Sequence, residues 1–178
     1  MANPGASDSK KEPLEMKLDK STDSIKIAFK GAITEAAKIN AIELKEKKSL
    51  VLDFNDISYI NSAGVRRWIL WMWNIEKEFP NVKIIIERCP TIMYKQIITV
   101  MRFVPKMTQV RSFYIPFFCE NCEESSLKMF NSKPLLGLKD KDFFQHISGE
   151  NCKKCGTPLV VDASLEQFNK FINDYKAE

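Results

Sequence analysis

The chain has 178 residues, is 44% hydrophobic and carries a formal net charge of +4. That suits one domain, or one domain with a small appendage, and the charge is too mild and too spread to argue for nucleic acid by itself. No apolar run reaches the roughly 20 residues that cross a bilayer, and the polar residues Met1 to Lys20 lack a signal-peptide core, so a cytoplasmic chain is expected.

Residues 1–12 are rich in Ser, Lys, Gly and Pro and read as a disordered tail. Leu14, Met16 and Leu18 alternate with charged residues, as a half-exposed strand does. A turn at Ser21–Asp23 and a second alternation over Ser24–Lys30 complete an antiparallel hairpin. Thr34–Lys47 reads as a helix, with Ile33, Ala37, Ile39, Ile42 and Leu44 as its apolar positions and Thr34 as its cap. Ser49–Phe54 is apolar enough for a central strand. Val65–Phe79 has the strongest helical pattern, and Val82–Glu87 is a buried strand. Pro90 opens a helix to about Val100, with Met93, Ile97, Val100 and Met101 on one face. Val110–Tyr114 is the last strand of this part. The order β-β-α-β-α-β-α-β predicts an α/β layer with parallel crossovers. Near the C-terminus Ser164-x-x-Gln167 is a capping box that opens a helix with Leu165, Phe168, Phe171, Ile172 and Tyr175 along one side.

Two cysteine pairs interrupt this pattern, Cys119-x-x-Cys122 and Cys152-x-x-Cys155. Four thiolates can fill one tetrahedral zinc site, which leaves no open position for a substrate and is therefore structural. Gly156 follows the second pair, where a knuckle favours a residue without Cβ. The first pair follows the aromatic run Phe113–Phe118, and the second precedes Leu159–Val161. Knuckle plus strand is the layout of a zinc ribbon. The 29 residues between the pairs exceed the usual spacer of about 15–20, and a longer loop costs little entropy. Disulfides or redox-active pairs are the other readings of the same spacing. Cys89 would be left over, and His146 is not needed as a ligand. The expected organisation is a tail at 1–12, an α/β domain at 13–115, a zinc-ribbon-like insertion at 116–161 and a C-terminal helix at 162–178 that packs on the α/β domain.

Ser49-LVLDFNDISYI-Asn61-Ser62-Ala63-Gly64-Val65 combines an apolar strand, an Asp and an Asn-Ser-x-Gly turn at a helix start. Gly31-Ala-Ile-Thr34 precedes it; Phe79-Pro-Asn-Val-Lys-Ile-Ile-Ile86 and Cys89-Pro90 follow in order. Over Leu14–Tyr114 this series resembles the STAS domain, the fold of bacterial anti-sigma factor antagonists that is also found in sulfate transporter tails. The resemblance implies a STAS-like mixed β-sheet with helices packed on it, to which the ribbon before the C-terminal helix is an addition. It implies a non-enzymatic signalling module that binds an anti-sigma factor, a kinase-like protein or another regulatory protein. It also implies phosphorylation of Ser62, the residue matching the family's phosphoacceptor serine. Asn61 stands where the family usually has Asp. On the residues alone, Asn61 and Ser62 can equally cap the helix.

Placed on a wheel at about 100° per residue, Val65, Trp68, Ile69, Met72, Ile75 and Phe79 form a core face. Arg66, Leu70, Trp73 and Lys77 form a second stripe, apolar where solvent is expected. With Asn61 and Ser62, that stripe is the candidate partner surface; coverage by the last helix or the ribbon is the alternative. No Gly-rich phosphate loop and no Ser/His/Asp grouping around the lone His146 argues for an enzyme. The competing functions are nucleic-acid binding through the ribbon lysines, which acidic neighbours balance, and a zinc-thiol redox sensor.

Overall fold

The computed structural model describes residues 12–176. The expected tail therefore lies outside the described residues, apart from Glu12. A five-stranded sheet has the order β1 (Glu15–Lys20), β2 (Ser24–Ile33), β3 (Ser49–Ile60), β4 (Lys83–Glu87) and β5 (Gln109–Val110). β1 is antiparallel to β2, and every other neighbour is parallel, so the sheet is mixed. Strand pleating sends Ile25, Ile27, Phe29, Leu50, Leu52, Phe54, Ile84 and Ile86 to one face, where all are buried. Helix α1 (Ser62–Glu78) covers that face. Its Trp68 sits edge-on to Phe29 and Phe54, with ring centroids 5.5 and 5.4 Å away. Helix α2 (Thr91–Thr99) carries Met93, Tyr94 and Ile97 into the same core. The chain is thus a mixed-sheet α/β fold with helices packed on it.

The helix expected over Thr34–Lys47 does not form. The segment crosses from β2 to β3 as irregular chain, with turns at its two ends. Thr34 Oγ1 accepts from the Ala36 amide and closes a turn rather than a helix. The apolar spacing explains the difference. Ala37 and Ile39, like Ile42 and Leu44, are two residues apart, which an extended chain places on one side and a helix on nearly opposite sides. Ala37 and Leu44 are buried against the core, and the Asn40 carbonyl accepts from Trp71 Nε1 at 3.0 Å. A tertiary contact thus takes the place of an intrahelical one.

β3 continues six residues beyond the expected Phe54. Its last rungs pair only with β2, because β4 stops opposite Asp53. The start of α1 therefore stands beyond the end of most of the sheet. The expected strand Val110–Tyr114 is divided. β5 ends at Val110, and β6 (Ser112–Cys119) leaves for a second, three-stranded antiparallel sheet of order β7-β6-β8, with β7 at Glu124–Asn131 and β8 at Val160–Val161. The hinge is held by bonds from Arg111 N to Ile86 O, Cys89 N to Ser112 O and Tyr114 N to Cys89 O, each 2.8–3.0 Å.

Helix α4 (Leu165–Asp174) joins the two sheets. Phe168 stacks on Tyr94 at 4.0 Å and on Phe113 at 5.7 Å. Ser164 Oγ accepts from the Gln167 amide, so the expected capping box does cap it. After α4, the Tyr175 carbonyl accepts from the Val110 amide and covers part of the short edge strand β5. The long stretch between the cysteine pairs is not a slack loop. It holds β7 and helix α3 (Asp140–Ile147), whose Phe143 and Ile147 are buried. Asn169 of α4 donates to the Leu138 carbonyl and to Asp140, which fastens α3 to α4.

The sheet face opposite α1 carries an ion-pair network. Asp53 is buried, bonded by two nitrogens of Arg88 and lies 3.1 Å from Lys26 Nζ. Glu87 links Lys26 to Arg111. Burial alone would raise the Asp53 carboxyl, but Arg88, Lys26 and the Asn55 amide outweigh it and hold the carboxyl below its ordinary value. A carboxyl depressed in the fold stabilises above its unfolded value, near 3.9, and that contribution is lost as pH falls through the folded value. Urea midpoints should therefore hold steady from pH 7 to about 5 and drop below about 4. Asp53→Asn should make that acid drop shallower; an unchanged acid limb would show that the network does not set it.

Candidate functional site

Two knuckles build the four-cysteine cluster. The first is the tight connection from β6 to β7, which carries Cys119 and Cys122. The second is closed by bonds from Cys152 N to Thr157 O and Gly156 N to Cys152 O, with Gly156 at φ +76°. Gly156 thus meets the left-handed requirement that its place after the pair suggested. All four Sγ atoms lie within 4.8 Å of one another. Cys119 and Cys155 are 3.6 Å apart, and Cys122 and Cys152 are 3.9 Å apart. Tetrahedral thiolates about 2.3 Å from a zinc ion are separated by about 3.8 Å. A disulfide would need about 2.05 Å, and all five cysteines are free thiols. The cluster therefore fits a soft tetrahedral dication. Cys89 is buried in the main core, where desolvation pushes its thiol up. His146 lies on the exposed side of α3, outside the cluster.

Without a cation the four thiols do not ionise alike. The Thr157 hydroxyl, 3.3 Å away, and the Thr157 amide lower Cys155 to about 5. Its bond to Cys155, then burial, pushes Cys122 up to about 12. The Lys154 and Cys155 amides also lower Cys152, while burial pushes Cys119 up; a dication would favour all four thiolates together. Thr157 is a supporting residue that the cysteine spacing alone did not indicate. Its position directly after Gly156 is the only sequence signal for it.

At the start of α1, Asn61 is the N-cap. Its Oδ1 accepts from the Gly64 amide at 2.8 Å, and its Nδ2 donates to Glu35 at 2.8 Å. Ser62, the first helical residue, is exposed, and among the described residues its side chain makes no hydrogen bond. The capping oxygen is therefore that of Asn61, not Ser62. Arg66, Leu70, Trp73 and Lys77 are all exposed, Leu70 by 51% and Trp73 by 49%. Lys77 Nζ lies 5.4 Å from the Trp73 ring centroid. Neither α4 nor the second sheet covers the stripe.

Met101, expected on the core face of α2, is 86% exposed, because α2 ends at Thr99. Trp71, left off the core face by the wheel, is buried beneath the 34–48 crossover. Ribbon lysines are partly neutralised: Lys128 pairs with Glu150 and Lys154 with Glu124. Among the described residues no helix is long and apolar enough to cross a membrane. No protein-family model matches the chain, and neither curated proteins nor solved structures give a match.

Proposed function

We propose that the chain is a non-enzymatic protein-binding module of the anti-sigma factor antagonist type, switched at Ser62, with a structural zinc ion held by Cys119, Cys122, Cys152 and Cys155. The observation that carries this reading is the helix start. An uncommitted, solvent-facing hydroxyl stands at the first position of α1, one residue after the cap. Free amides and the helix dipole there favour an added phosphoryl group, which would place about −1.5 to −2 charges beside the exposed stripe. Glu35 gives a physical reason for Asn61. An Asp at that position would set a carboxylate against the Glu35 carboxylate, where the amide donates instead. Zinc supplies folding energy and a closed ligand shell; it takes no part in a reaction.

The test is capture of partners from the native host by wild type, Ser62→Ala and Ser62→Asp, with mass spectrometry of partners and of Ser62. Ser62→Ala removes no capping bond, so it should fold and bind as wild type does. Ser62→Asp should fold equally well and lose partner. Equal capture by all three, with no phosphate on Ser62, would mean a binding surface elsewhere and no switch.

A further inference from the structure

After α2 the chain turns back along α1 and is pinned there. Phe103 is buried, stacks on Trp68 at 5.8 Å and accepts from Trp68 Nε1 through its carbonyl at 3.0 Å. Val104 is buried beside it. Pinning those two residues turns Met101 and Met107, 86% and 69% exposed, outward. Between this loop and α1 lies a cleft of about 710 Å³. Ile69, Met72 and Val104 form its floor, and Leu70, Trp73 and Pro105 stand around it. Arg102 and Lys106 line the same cleft, and Arg66 and Lys77 flank it on α1, whereas Glu76 is the one acid among its lining residues.

The charge and shape narrow the occupant. Of the residues outside the described range, 1–11 offer no large apolar side chain beyond Met1, and 177–178 are too few. A second copy packed through the same cleft would set four cations against four cations. A flat bilayer surface would not reach a recessed floor. An amphipathic helix fits such a groove with anchors at i, i+3, i+4 and i+7, and methionines adapt well to such anchors. We propose that this cleft takes an acidic amphipathic helix of a partner protein, its apolar side against Leu70, Trp73 and Val104 and its carboxylates toward Arg66, Lys77, Arg102 and Lys106. The proposal rests on the binding-module reading and moves the main contact along α1, away from Ser62.

A displayed library of roughly 14-residue amphipathic helices, apolar positions fixed and the others random, tests it with the whole chain as bait. Selected sequences should be enriched in Asp and Glu. A synthetic peptide from that pool should gain helical circular dichroism on binding and bind more weakly as salt rises. Leu70→Asp should abolish binding, and Arg102→Glu with Lys106→Glu should weaken it about tenfold or more. Leu70 is half exposed, so its variant should melt as wild type does; Met101→Asp is the second probe if it does not. Basic or neutral selected sequences, or selection equal on Leu70→Asp, would overturn the proposal. So would Leu70-dependent binding to phosphatidylglycerol vesicles, or Leu70-dependent dimerisation, in place of peptide binding. If Ser62→Asp alters native capture and Leu70→Asp does not, the switch stands and the cleft falls; the reverse result retains the cleft and removes the switch.

Discussion

Gly64→Ala is expected to cost more stability than any other single methyl added to this chain. A Cβ at Gly64 would lie 1.9 Å from the Ile33 carbonyl oxygen and 2.5 Å from its carbon. Those are backbone atoms at the end of β2, and they cannot rotate away as a side chain can. Ile33 O also accepts from the Asn61 amide at 3.2 Å, so the clash falls on the contact that seats α1 on the sheet. Overpacking usually costs about 1–3 kcal/mol, and a rigid backbone contact belongs above that range. Little folded protein, or an unfolding free energy lowered by more than about 3 kcal/mol, is the expected outcome in urea unfolding. Ser62→Ala, two residues away and exposed, should be near neutral in the same assay. A near-neutral Gly64→Ala would mean that α1 can lift off β2 without cost, and the close seating would lose its significance. The same geometry explains why a glycine stands two residues after the exposed serine.

Protein purified without added metal should contain one zinc per chain, and Cys152→Ser should remove it. Structural zinc in small units is worth about 10–16 kcal/mol of apparent binding energy, much of it folding energy. Here the loss should be local. β6 is anchored at its other end by Phe113, Ile115 and Phe117, all buried, and by the Phe113–Phe168 stack. Hydrogen exchange should therefore accelerate in the two knuckles, in β8 and in the tip of β7, while β2, β3, α1 and α4 stay protected. Chelation should reproduce that pattern, and zinc should reverse it. Metal-free protein with undiminished protection in both knuckles would show that the four thiols need no ion. Global unfolding instead would show that the core anchors of β6 are weaker than the stack implies.

Periodicity and punctuation alone sufficed for much of the chain. The first hairpin, the central strand, α1, β4, α2 and the capped last helix all show a local signal that agrees with their final environment. The cysteine pairs also name their own cluster, because a CxxC knuckle is a local turn and two of them make a ligand set. Asn61, Ser62, Arg66, Leu70, Trp73 and Lys77 are exposed or half-exposed as the wheel arranges them, since a helix face is a local property.

Tertiary structure decided what depends on distant partners. Whether Ala37 to Leu44 form a helix turned on Trp71, which offers a hydrogen bond to an extended crossover. The division of Val110–Tyr114 between two sheets turned on Cys89, whose backbone holds both sides of the hinge. The pairing of Asp53 with Arg88, 35 residues away, has no local trace. The cleft beside α1 exists because Phe103 docks on Trp68 and pushes Met101 outward. Sequence reports local preference, which acts over a few residues. Contacts that close over tens of residues are set by which faces meet once the core has formed.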